Sequence, residues 1–322
     1  MKVLELYSGI GGMHLGLKAS NVSGEIITSI DINTVANVVY KHNFPTTNLL
    51  NKNIQGLSAQ FINKLEVDTI LMSPPCQPFT RNGLKKDVKD PRTDSFMHVL
   101  GLIPQLNIKN ILIENVKGFE TSEMREILIK TLNDENYQYQ EYILSPHQFG
   151  VPNTRHRYYC VAVKEPKTFQ FETSLIFNEN ASFKIGDIIE NNVDVKYFLS
   201  DDILLKKANI LDVCFNESFR SCCFTKAYGR YIEGTGSVYC DKTKNEFDQI
   251  YKESKNYDDF NSKLECLKKL NLRYFTPREV LRLMCFPENF NFPDEITDKQ
   301  RFNLIGNSVN IKVVSELIKL FN

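Results

Sequence analysis

Short apolar runs, each closed by a polar or glycine-containing turn, alternate with amphipathic stretches through the first half of the chain. Val3 to Tyr7 is β-rich and stops at Ser8-Gly9, and a helix is expected behind it through Met13, Leu15 and Leu17. Glu25 to Ile30 reads as a second strand ending at Asp31, after which Asn33 is placed to cap a helix through Val35, Val38 and Val39. Asp68 to Met72 is a short apolar strand stopped by Ser73-Pro74-Pro75. Asp94 to Leu106 has helical periodicity, and Asn110 to Ile113 forms a strand ending at Glu114-Asn115. Glu123 to Leu132 is again helical and Tyr158 to Val163 is again a strand. Strands this short and apolar, separated by helices, form a largely parallel sheet covered on both faces. Such an α/β sheet binds ligands at the carboxyl ends of its strands. The polar punctuation at Ser8-Gly9, Asp31, Ser73 to Cys76 and Glu114-Asn115 collects at those ends.

The texture changes after Lys164. Asn, Lys, Asp and Tyr become common up to about Leu272, and helical pattern returns at Pro277 to Met284 and from Asn310 to Phe321. The expected organisation is a catalytic, cofactor-binding domain over 1–163 and a smaller, less regular lobe over 164–272. A segment over 273–322 then returns to pack on the first strand region.

The chain has 322 residues, 42% of them hydrophobic, which is enough to bury a sizeable core without disulfide or metal staples. Lys+Arg and Asp+Glu number 39 each, so the formal net charge is zero. A nucleic-acid binder is usually more basic, although a local basic face can sit on a neutral protein. The eight cysteines contain no C-x-x-C pair, which argues against a zinc cluster, and no metal is expected. No apolar stretch approaches a membrane span. The expectation is a soluble monomer in a reducing compartment, cytoplasmic or nuclear, in which free thiols survive.

Four segments carry candidate chemistry. Tyr7-Ser8-Gly9-Ile10-Gly11-Gly12 joins the first strand to the first helix. Its glycines allow a sharp turn and close approach of a ligand to backbone N–H groups. With Asp31 to accept from a ribose hydroxyl it suits a nucleotide-like cofactor, or it is a plain strand–helix turn. It is not G-x-G-x-x-G, because His14 stands where the last glycine belongs. Ser73-Pro74-Pro75-Cys76-Gln77-Pro78-Phe79 aims the Cys76 thiol from a rigid turn. A structural thiol is the common fate of a free cysteine, but three surrounding prolines favour a nucleophile. The following stretch, from Arg81 to Asp94, is expected to be a mobile loop closing over the reacting base. Glu114, at the end of an apolar strand, is either a proton donor to a ring nitrogen or a capping or ion-paired carboxylate. Arg155 and Arg157 alternate, so on a strand they share a face and suit an anionic or carbonyl-rich ligand, with His156 turned away.

Taken in order with Gly306-Asn307-Ser308-Val309, these segments resemble the cytosine-C5 methyltransferase family. The likeness spans residues 1–163 and about 273–322. Ser221 to Lys226, Tyr228-Gly229 and Glu233 to Ser237 further look like its DNA methyltransferase homologue 2 branch. The resemblance implies a Rossmann-like methyltransferase fold with a target-recognition lobe and S-adenosylmethionine as methyl donor. It implies transfer RNA for aspartate as the substrate, methylated at cytosine 38 of the anticodon loop. By position it assigns cofactor contact to Tyr7, Ile10, Gly11, Gly12, Asp31, Asn53, Ile54, Asn307 and Ser308. Cys76 becomes the nucleophile, Glu114 the group on the cytosine N3 edge and Arg157 a neighbour of its carbonyl. Arg155, Cys223, Phe224 and Thr225 become substrate contacts. Phe224, Tyr228 and Tyr231 are aromatic groups able to stack on bases or to pack the lobe. Asn153, Ile32 and Asn53 depart from the family's commoner residues.

The same chemistry on duplex DNA is the alternative. An inactive nucleic-acid-binding protein is a second, and a nicotinamide enzyme a remote third.

Overall fold

The computed structural model describes residues 1–75, 93–164 and 183–321. The chain enters through β1 (Lys2–Leu6), α1 (Gly12–Ser20), β2 (Glu25–Asp31), α2 (Thr34–Asn43), β3 (Leu49–Asn51), α3 (Ala59–Lys64) and β4 (Thr69–Met72). It continues through α4 (Asp94–Leu102), β5 (Asn110–Val116), α5 (Glu123–Asp134), β6 (Gln138–Leu144) and β7 (Arg157–Val163). These seven strands form one sheet in the order β3-β2-β1-β4-β5-β7-β6. β7 runs antiparallel to both of its neighbours, and the pairs from β3 across to β5 are parallel. The sheet is therefore largely parallel, as its apolar strands predict, with one reversed strand inserted near an edge.

Strand alternation assigns each residue to a face. Leu4, Leu6, Ile70, Met72, Ile111 and Ile113 bury on one side, against Phe96, Val99, Met124 and Leu128 of α4 and α5. Val3, Leu71 and Leu112 bury on the other, against Met13 and Leu17 of α1. Both faces being covered explains why these strands read as continuous apolar runs.

The helix expected from Asp94 to Leu106 stops at Leu102 and tightens into a 3₁₀ turn over Ile103–Gln105, which includes Pro104. β5 extends past Ile113, because Glu114, Asn115 and Val116 still pair with Tyr159, Tyr158 and Arg157 of the reversed strand. Glu114 thus lies within the sheet and not on a turn.

The second lobe contains α6 (Asp201–Lys207), β8 (Val213–Cys214), β9 (Val238–Tyr239), α7 (Lys244–Ser254), α8 (Phe260–Lys268) and β10 (Arg273–Tyr274). β10, β9 and β8 form a small sheet, which carries the lobe two residues past the expected boundary at 272. It holds more helix than its polar texture suggests.

The chain returns through α9 (Pro277–Leu283), α10 (Asp298–Gly306) and α11 (Ile311–Ile318). α11 lies along α1, so closely that a Cβ on Gly16 would stand 2.3 Å from Val314 Cγ1. The lobe and the return segment share one apolar cluster with the cofactor-side helices: Ile10, Tyr40 and Phe44 belong to the same cluster as Phe224, Tyr228, Phe275 and Phe302. At their junction the buried Arg273 guanidinium makes a two-pronged bond to Glu279, at 2.8 and 2.7 Å.

Candidate functional site

A cleft opens at the carboxyl ends of β1, β2, β4 and β5 and is closed on its far side by the α10–α11 turn. Its volume is about 290 Å³, at the lower end of the roughly 300 to 1000 Å³ typical of small-ligand sites.

The glycine turn builds the first wall. Tyr7, Gly9 and Gly11 all adopt left-handed backbone, at φ 54, 53 and 89°. A tyrosine there is strained; its hydroxyl is fixed by contact with Ser95 Oγ at 3.1 Å. The glycines serve different ends. A Cβ on Gly9 would meet nothing within 4 Å, because that position faces the open cleft. A Cβ on Gly11 would lie 2.3 Å from the Phe44 ring, and one on Gly12 would lie 2.6 Å from Val309 and 2.9 Å from Ser308 Oγ. Ser308 therefore packs on Gly12, and Gly11 is held against Phe44, just past α2. Gly9, Ile10, Gly12, Asn307 and Ser308 line the cleft, and Gly11 does not.

Asp31 closes this end. Its carboxylate accepts from Gly9 N and Asn33 N, both at 2.8 Å. Burial lifts its pKa, and these backbone donors offset that only in part. Asn33 caps α2 as the sequence predicts, accepting from Val35 and Ala36 N–H. Asn53 and Ile54 are not lining residues. Asn53 caps the 3₁₀ turn Ile54–Gly56, and Ile54 is buried in the core.

At the other end Glu114 meets Arg157, with Oε1 3.3 Å from Nε. Burial pushes the Glu114 carboxyl above its ordinary range; the guanidiniums of Arg157 and Arg155 and the Ser73 hydroxyl pull it back without cancelling the effect. The desolvation of an almost wholly covered side chain outweighs two nearby cations. Arg157 also donates from Nη1 to His156 O at 2.8 Å. His156 itself is exposed and faces His147, away from the cleft.

Cys76 and the loop after it lie outside the described residues. The chain leading to Cys76 is held by Asn115, whose amide donates to Pro74 O at 3.4 Å. Nothing in the sequence beyond a polar residue at the end of an apolar strand signals this tie.

Arg155 requires a correction. It precedes β7 and does not share a strand face with Arg157. Its guanidinium is spent on the protein itself, donating to Phe224 O at 3.1 Å, Gly306 O at 3.0 Å and Ser308 O at 2.6 Å, with Cys223 Sγ at 3.5 Å. Arg155 thus ties the second lobe and the α10–α11 turn to the cleft wall. Phe224 takes the packing alternative: it is buried, edge-on to Tyr228 and Phe275. Tyr228 is buried with it. Thr225 backs the wall, its backbone against Gly306. Cys222 and Cys223 are half-buried. Burial raises the Cys223 thiol, but the Arg155 and Arg157 guanidiniums more than offset it and leave the pKa lowered.

Among the described residues no group of three or more His, Cys, Asp or Glu is disposed to hold a metal ion, and no helix is long and apolar enough to cross a membrane.

The geometry can be set beside known proteins. The C-5 cytosine-specific DNA methylase model matches residues 1–321. The chain is 52% identical to the tRNA (cytosine(38)-C(5))-methyltransferase of Spodoptera frugiperda over 99% of its own length and 98% of the relative's. It is 40% identical to the human protein of the same name, again covering 99% and 98%. A crystal structure of a Spodoptera frugiperda DNMT2 mutant superposes with a TM-score of 0.91 at 50% identity, covering 100% of this chain and 99% of that one. A full-length family match and relatives of this similarity leave one assignment: the chain belongs to the C-5 cytosine-specific DNA methylase family, enzymes that take their methyl group from S-adenosylmethionine.

Proposed function

We propose that this chain methylates C5 of cytosine 38 in the anticodon loop of transfer RNA, with the aspartate isoacceptor as its substrate. The names of its full-length relatives support the RNA substrate. The observation that carries the chemistry is a buried carboxyl with a raised pKa, Glu114, 3.3 Å from Arg157 in the cleft that the Pro74-Pro75 turn enters.

The open face of Gly9, the Asp31 carboxylate and the Ser308 turn fit the cofactor: an exposed backbone approach beside a buried acceptor suits a nucleoside. When bound, S-adenosylmethionine supplies an electrophilic methyl group. The chain supplies the rest. Cytosine C5 is a poor nucleophile until a thiolate bonds to C6, and Cys76 supplies that thiolate. The electron pair displaced from the C5–C6 double bond makes C5 enamine-like and drives negative charge onto N3. Glu114 neutralises this charge by donating its proton, which its desolvation helps it to retain. Arg157 stabilises the carbonyl oxygen. A base then takes the C5 proton, Cys76 leaves C6 as the thiolate, and N3 returns its proton to Glu114, which restores the ring. A base in an anticodon loop is already unstacked in part, which lowers the cost of bringing it into the cleft.

The test is methyl transfer from labelled cofactor to total tRNA and to duplex DNA, with the modified base mapped. Label at position 38 of the aspartate isoacceptor is expected, and faster turnover on DNA would overturn the substrate. Cys76→Ala should abolish turnover but not cofactor binding. A 5-fluorocytosine acceptor should trap a denaturation-resistant adduct at Cys76. The protein is expected to act as a monomer, in the cytoplasm or nucleus.

A further inference from the structure

We infer that Tyr231, backed by Arg230, is a stacking platform for an unstacked nucleobase next to the target cytosine; this rests on the RNA reading above. Of the three aromatic residues in this segment, Phe224 and Tyr228 are 3% exposed, and Tyr231 is 56% exposed. The Arg230 guanidinium lies over the Tyr231 ring, 5.1 Å from its centre, and the residue stays more than half exposed. Arg230 has no carboxylate partner among the described residues, and neither has exposed Lys226.

The ledge is rigid. Tyr231 N donates to Ala227 O at 3.1 Å, and the Thr235 hydroxyl donates to Tyr231 O at 2.6 Å. Gly236 sits so close under Phe224 and Tyr228 that a Cβ there would approach their rings to 2.8 and 2.7 Å. It is also attached to the cleft. The backbone of Thr225 and Lys226 abuts Gly306, which lines the cleft, and Gly229 rests on Phe302 of the same helix.

A base entering the cleft leaves its neighbours without a stacking partner. An exposed ring on the outside of the cleft wall, with a cation behind it and another cation nearby for phosphate, offers a replacement. Single-stranded nucleic acid is bound by this combination of flat rings and positive charge. Tyr231 donates and accepts no proton in the reaction. Its role is positioning, and its effect falls on substrate binding.

The experiment compares wild type, Tyr231→Ala and Tyr231→Phe with unmodified tRNA, and with tRNA carrying 2-aminopurine at each position flanking the target. Tyr231→Ala should raise KM for tRNA by roughly 10-fold or more, with kcat and cofactor affinity little changed. Tyr231→Phe should restore KM, because the ring is kept. The 2-aminopurine at one flank should be quenched by wild type and Tyr231→Phe but not by Tyr231→Ala. An unchanged KM in Tyr231→Ala, or equal losses in Ala and Phe variants, would overturn the platform. A wild-type protein inactive on tRNA would instead overturn the RNA reading.

Discussion

Glu5 lies beneath the glycine turn, is fully buried, and carries no ion pair within its hydrogen-bonded cluster. Its Oε1 accepts the His14 backbone N–H at 3.1 Å. Its Oε2 contacts the Ser29 and Tyr40 hydroxyls, each at 2.8 Å, and those two hydroxyls touch each other. Three mutual oxygen contacts need three protons. Ser29 and Tyr40 supply two, so the ring closes when Glu5 holds the third and His14 donates from Nδ1 to Tyr40. The pKa of Glu5 is raised from 4.5 to about 7, first by burial and further by the charge of Asp31, against the donors from Ser29, Tyr40 and His14. Between those two values the folded protein binds more protons than the unfolded chain, so stability is lost as pH rises through that window. The full loss is roughly 3 kcal/mol, and the part between pH 5.5 and 8 is about 2 kcal/mol. Glu5→Gln keeps the shape and the donor but has no proton to lose. Urea unfolding of both proteins across this pH range isolates Glu5, since other titrations cancel in the difference. The Gln variant should gain about 2 kcal/mol on wild type between pH 5.5 and 8. A difference that does not change with pH would refute the reasoning.

Glu114→Gln should lower kcat by roughly 10²- to 10⁴-fold with cofactor affinity kept; wild-type kcat should fall as pH rises through the raised Glu114 pKa, and that alkaline limb should be missing in the variant. Gly11→Ala should lower the melting temperature more than Gly9→Ala, because both strain a left-handed residue but only the first drives a Cβ into Phe44; equal shifts in a thermal melt would contradict this. Glu279→Ala strands the buried Arg273 guanidinium at the lobe junction and should cost about 3–5 kcal/mol in urea unfolding, a figure that a loss under about 1 kcal/mol would exclude.

What is legible in the sequence is what local rules decide. Ile70 to Met72 and Ile111 to Ile113 are buried on both faces, and their apolar runs say so; Val3 to Leu6 is buried too, with Glu5 as the one polar member of its run. β6 escapes because an edge strand, Gln138–Leu144, is only half-covered, and Gln138, Gln140 and Glu141 break its apolar run; β3 escapes because three residues carry no period. At the site the same division holds. The glycine turn, Asp31, Glu114 and Arg157 gather in one cleft because each stands at or near a strand's end. Arg155 is misread because its acceptors, Phe224 O, Gly306 O and Ser308 O, are 69, 151 and 153 positions away. Which of its two roles Phe224 takes is hidden for a similar reason: the rings that bury it include Phe275, which no local pattern links to it.

Glu114 is the sharpest instance. The proposed chemistry demands a bound proton, and Arg157 sits on the paired strand, which by itself argues for an ionised carboxylate. The sign is reversed by desolvation, a property of the closed cleft and not of any single neighbour. A substitution that merely admits water to this end, without touching Glu114 or Arg157, should therefore lower the Glu114 pKa. It should shift the alkaline limb of kcat to lower pH, in proportion to the exposure gained.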